Sequence, residues 1–320
     1  MLQEVALHMM AQTGVVGRAI FMSICRATRG FLRSMTWPSG TPFTLPTDRP
    51  CVVTGQLTVE GGEIHGVPEH LYTGPKRSRY GGTRAPQDFY INVVGPDTVL
   101  TLVGVTLRGV GVHVREGGRL KLVNSSILSP SADGVRLCEG GSFTMEGGSI
   151  SRAGAGGRGK AVHVHAGCTG ELKGVTISDC DHGAISCMGL QGEPPAFLRF
   201  EGGEIRKCGV GSNSIPIYCC FGGVAELDSV SVYDCGSSPL CVEGDFSPPS
   251  VLRLTGDWSI EDSASGIAVK DAAAIPRVSR LACGGSIIAD GVVHSAVGGI
   301  EGMRAYLRMS GLDPDEILGG

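Results

Sequence analysis

The side chains best suited to chemistry recur from repeat to repeat along the chain. His113, Arg136 and His163 fall at equivalent places in successive repeats, His165 lies two residues on, and Tyr218 takes the same place later. Imidazole changes charge near neutral pH, and a planar guanidinium suits phosphate or carboxylate. Stacked one above another, these residues would form a strip that binds an anion or a short recognition segment of another protein. A second set is acidic. Asp179, Asp181 and His182 stand in SDCDHG, with Asp234 and Asp262 in later repeats. Carboxylates clustered on one flank serve calcium binding or glycosidic acid–base work. Lys207 takes the matching place between Asp179 and Asp234, so the column reads as a solvated corner. A third set is sulfur. Cys180, Cys208 and Cys235 recur one repeat apart and no CxxC pair occurs. The vicinal Cys219 and Cys220 point to opposite faces of a strand and are poor co-ligands. The cysteines read as stacked small core residues. No metal, cofactor or catalytic residue is expected.

Those residues need a scaffold that repeats. The 320 residues include 51 glycines and 17 prolines, against about 12% for the pair in average proteins. Such a chain is not mainly helical. It is not disordered either, since 42% of it is hydrophobic and 18% charged. Aligned lines run over 98–118, 119–141, 142–168, 169–196, 197–223, 224–250 and 251–277, with partial copies at 56–66 and 280–293. One apolar column reads Val59, Leu102, Leu122, Met145, Leu172, Phe200, Leu227, Leu254. Another reads Ile64, Leu107, Ile127, Ile150, Ile177, Ile205, Val232, Ile260. A third, on a short strand, reads Val112, Val135, Val162, Ile185, Ile217, Leu240, Ile267. Period-two alternation marks strands, and units this short bury their apolar faces only by stacking about 4.8 Å apart. The predicted fold is mainly β: a single-stranded right-handed parallel β-helix of about eight or nine coils. One coil is a residue longer, around Asp257.

The ends differ from the middle. Residues 1–35 have few glycines and helical spacing, 36–50 read as a linker, 51–297 as the β-helix, and 298–320 as a helical cap. Asp313-Pro314 in that cap is an N-cap signature. The insertion 67–90 carries Lys76, Arg77, Arg79 and Arg84 and reads as a surface loop. With a net charge of −4, no nucleic-acid partner is expected. Glu4, His8 and Arg18 interrupt the N-terminal apolar stretch, and no apolar run reaches spanning length. A monomeric intracellular chain with reduced thiols and no membrane partner is expected.

The first segment opens Leu2-Gln3-Glu4-Val5-Ala6-Leu7-His8-Met9 and closes Ile24-Cys25-Arg26-Ala27-Thr28-Arg29-Gly30-Phe31-Leu32. It resembles an F-box, with Gln3 in place of the usual Pro and no closing Trp. Together with the repeats, the chain resembles F-box-only proteins that carry a pectin-lyase-like β-helix. The resemblance implies that Leu2, Glu4, Val5, Met9, Ile24, Cys25, Arg26 and Leu32 dock a Skp-type subunit of a cullin ubiquitin ligase, while the β-helix flank binds the protein to be ubiquitinated. Two alternatives stand beside this non-catalytic adaptor. One is a carbohydrate-active enzyme, although only Asp181-His182-Gly183 echoes the motifs of the glycoside hydrolases of this fold. The other is a binding or structural β-helix whose helical ends are caps.

Overall fold

The computed structural model describes residues 35–36, 43–45, 51–66, 90–154, 159–210, 214–236, 239–243, 250–262, 266–282 and 285–295, with 304, 308, 313 and 315. Strands form because apolar residues alternate with polar ones. In Arg119–Leu128, Leu120, Leu122 and Ile127 are buried while Arg119, Lys121 and Asn124 face water. Nine strands make one sheet, in the order Cys51–Val53, Tyr90–Val94, Gly111–Arg115, Val135–Leu137, Val162–His165, Ile185–Met188, Ile217–Cys220, Leu240–Glu243 and Ser279–Ala282. A second, 16-stranded sheet holds the ten-residue strands Arg119–Leu128, Ser142–Ser151, Thr169–Ser178, Phe197–Arg206 and Val224–Tyr233 side by side. Between Gly111 and Glu243 the chain passes from one sheet to the other and back at every repeat. All described pairings are parallel except two near the C-terminal end. The architecture is mainly β with parallel sheets, compatible with a parallel β-helix.

The first two apolar columns pair as the sequence predicts. Leu102, Leu122, Met145, Leu172, Phe200, Leu227 and Leu254 are in register. So are Leu107, Ile127, Ile150, Ile177, Ile205, Val232 and Ile260. All are buried in one core cluster, where each such side chain contributes about 1.5–3 kcal/mol. Ala153, Cys180 and Cys208 are fully buried at an inward corner, and the described cysteines are free thiols. The extra residue near Asp257 falls between Thr255, opposite Asp228, and Ser259, opposite Ser231.

The third column needs one correction. Ile267 does not continue it beside Leu240. Its strand, Ile267–Val269, turns back antiparallel on Ser259–Asp262, and Ile267 is 62% exposed. Gly266 has φ +66° and donates its N–H to Asp262 O at 2.7 Å. That tight return uses up the chain before it can cross to the other sheet. Ser279 takes the place opposite Leu240. At the end of the segment read as helical and within the stretch read as a linker, Met35–Thr36 pairs with Val59–Glu60 and Phe43–Thr44 with Ile64–His65. The F-box-like residues Leu2, Glu4, Val5, Met9, Ile24, Cys25, Arg26 and Leu32 lie outside the described residues. So do 67–89 and most of 298–320, although Asp313 Oδ1 accepts the N–H of Asp315 at 2.8 Å.

Candidate functional site

The strip drawn from sequence is a true column on the outer side of the nine-stranded sheet. Asn92, His113, Arg136, His163, Ser186 and Tyr218 are paired in register from strand to strand. His165 shares the face of His163, and the two rings stack at 4.3 Å. The column is more enclosed than a solvent-facing strip, since Asn92, His113 and Ser186 are buried.

The residue that organises it is Asp133, in the turn just before Val135–Leu137. One carboxylate oxygen accepts the Tyr90 hydroxyl at 3.3 Å and Arg136 Nη1 at 3.4 Å, and faces His163 Nδ1 at 3.5 Å. The other accepts the Lys160 backbone N–H at 2.7 Å. The N–H of Asp133 donates to the Tyr90 oxygen at 3.0 Å. Gly111 makes room for this turn, because a Cβ there would stand 2.1 Å from the Asp133 carbonyl oxygen and 3.0 Å from the Tyr90 ring. Burial alone would raise the Asp133 carboxyl, but His163, Arg136 and the Lys160 N–H together hold it below its usual range. The Arg136 charge is therefore balanced from inside. At the far end, the Tyr218 hydroxyl is bonded to Glu243, and burial, then that carboxylate, push it up.

His113 and His165 are held neutral. Burial, then Arg136 and Arg115, lower His113 to about 4. Burial, then His163 and Arg136, lower His165 to about 3. His113 is 5% exposed, and neither of its ring nitrogens has a hydrogen-bond partner among the described residues. In the unfolded chain both residues titrate near 6.5. Between that value and about 4 the unfolded state binds more protons, so stability falls as pH falls through this window. Replacing His113 with Leu removes a buried polar ring with no hydrogen bond among the described residues. The variant is expected to melt about 2–4 °C higher and to lose stability less steeply between pH 6.5 and 4. Melting curves across that range check both; an equally steep loss would refute the assignment.

Beside the strip lies a cavity of about 700 Å³, reached by Cys138, His165, Met188, Leu190 and Phe221, with Glu139 and Glu193 also on its wall. Cys138, His165 and Met188 come from three successive strands or their ends on the same outer face. Burial raises the Cys138 thiol against the pull of Arg136, so the sulfur is neutral.

The acidic set does not assemble. Asp179 and Asp234, with Ser129, Arg152 and Lys207, have φ between 51° and 56°. They are corner residues in the left-handed region, which Asp and Asn enter more readily than most side chains. Asp179 and Asp181 are exposed, and His182 Nδ1 sits 3.1 Å from Ser214 Oγ. Asp262 pairs with Arg277 at 3.2 Å.

Sequence reading missed Asp133, Tyr90, Cys138 and the cavity. Tyr90 opens a strand rather than ending the insertion. The one available signal was its position directly before the Ile91–Val93 alternation. Among the described residues, no three His, Cys, Asp or Glu side chains are grouped so as to hold a metal ion, and no helix is long and apolar enough to cross a membrane. Compared with protein-family models, curated proteins and solved structures, the chain gives no match.

Proposed function

We propose that this chain is a non-catalytic recognition adaptor of a Skp/cullin-type ubiquitin ligase, built on a right-handed parallel β-helix of eight or nine coils. The hand follows the general rule for parallel crossovers. The observation that carries the binding role is the outer face of the nine-stranded sheet. There Arg136 is neutralised by Asp133, His113 and His165 are held uncharged, and an open cavity stands alongside. Groups paired among themselves hold a shape; they do not wait to move protons. Carboxylates set at exposed left-handed corners do not form an acid–base pair. The docking role rests on the F-box-like motif from Leu2 to Leu32.

Capture on an immobilised Skp-type subunit tests it. The full chain is expected to be retained, and a deletion of 1–34 to lose retention completely. The deletion stops short of Met35–Thr36 because that pair adds to the sheet. Ile24→Asp with Leu32→Asp should act like the deletion while keeping the whole length. Undiminished capture by both variants would refute the reading.

A further inference from the structure

We infer that the cavity beside His165 is a pocket for an arginine or lysine side chain of the target protein, carried next to an apolar residue. The inference rests on the adaptor reading, which supplies the target.

Three features of the wall point to that occupant. The first is apolar. Met188, Leu190 and Phe221 line the cavity, the last two 54% and 40% exposed. The methylene stem of a long cationic side chain packs on such a surface. The second is charge. Glu139 and Glu193 are exposed, and neither makes an ion pair among the described residues. The nearby cations are already matched: Arg136 faces Asp133, and Arg115 faces Glu116 at 3.4 Å. His165 is uncharged, so the opening presents unbalanced negative charge and would repel an acidic segment. The third is Phe221 itself. Its corner position carries φ +52°, where other coils place Glu116 and Glu139 at φ 55° and 53°. A bulky ring in that conformation is strained, and this one is also left open to water. A guanidinium laid on the ring would use its exposed face. Gly189 lets the chain after Met188 pack against the Phe221 corner, since a Cβ there would come 2.0 Å from the Phe221 carbonyl oxygen.

The test is fluorescence anisotropy of the full-length chain with a labelled Gly-Ser-Leu-Arg-Leu-Ser-Gly amide. Analogues with citrulline or Glu in place of Arg are the comparisons. The Arg peptide is expected to bind. Citrulline, which keeps the shape and removes the charge, should weaken binding about tenfold, and the Glu peptide should not bind. The double variant Glu139→Gln, Glu193→Gln should also lose about tenfold. Phe221→Gly should lose about fivefold while its melting temperature holds or rises, because glycine relieves the left-handed strain. A merely structural Phe221 would lower the melting temperature and leave affinity unchanged. Equal binding of the citrulline or Glu peptide, or no binding of the Arg peptide up to about 1 mM, overturns the pocket. Capture on the Skp-type subunit is read on the same preparation. Capture without peptide binding overturns the pocket alone; peptide binding without capture overturns the adaptor reading alone.

Discussion

Replacing Asp133 with Ala is expected to cost the fold about 3–5 kcal/mol, seen as a lower urea midpoint with an unchanged slope. The carboxylate is nearly sealed from water and is the shared partner of Tyr90, Arg136, His163 and the Lys160 backbone N–H. Its removal leaves a half-buried guanidinium without its counter-charge, and the Tyr90 hydroxyl proton and the Lys160 N–H without acceptors. Asp133→Asn keeps an acceptor for the Lys160 N–H and should lose less. Removing both charges, in Asp133→Ala with Arg136→Leu, should recover part of the loss, because much of the penalty is the orphaned cation. Because the carboxyl is held below its usual range, its contribution is complete above the unfolded value near 4 and disappears as pH falls through the lower folded value. A loss of less than about 1 kcal/mol for Asp133→Ala would show that the cluster is held by backbone packing instead.

The same cluster shows what a sequence discloses and what it withholds. Leu122, Met145 and Leu172 announce their register because each recurs once per coil on the buried side of an alternating strand, and a slip of one residue would turn the whole set to water. Arg136 and His163 fell into their column by the same arithmetic. Asp133 did not, because it belongs to the turn before the strand, where spacing varies from coil to coil. Its partner Tyr90 comes from two coils away and meets it only through the stacking. Phe221 reads as one apolar residue beside Gly222-Gly223; its exposure and positive φ exist only once the corner is folded. Ile267 matched the pattern GIAV and still left the column, because a hairpin return after Asp262 outcompeted the parallel crossover. Periodicity therefore fixes the walls of this scaffold and the strip on them, while Asp133 and Phe221 lie in the corners that interrupt the period.

One place on the ten-residue strands, at the edge of the core, offers the second large effect. Along the strands facing the interior, Leu172 is followed three residues later by Val175, and Leu227 by Val230, all buried. The coil between them has Phe200 and Gly203 instead, in register with those pairs. Gly203 has φ +112°, and a Cβ there would stand 2.3 Å from the Val175 carbonyl oxygen and 3.1 Å from the Phe200 ring. Gly203 itself is exposed, and the larger Phe200 ring lies beside the place that its Cβ would take. Gly203→Val alone is expected to cost about 3–5 kcal/mol, from overpacking against the ring and a β-branched residue at a glycine conformation. Phe200→Leu alone should cost about 1 kcal/mol for the vacated volume. The double variant reproduces the Leu–Val pair of both flanking coils. Space for the valine then opens, and the backbone can relax to the extended form that Val175 and Val230 adopt in their ten-residue strands. Its loss should fall below that of Gly203→Val alone, giving a coupling of about 1–3 kcal/mol in urea denaturation. Costs that simply add, to within about 0.5 kcal/mol, would mean that the glycine is required by the backbone turn and not by the ring beside it.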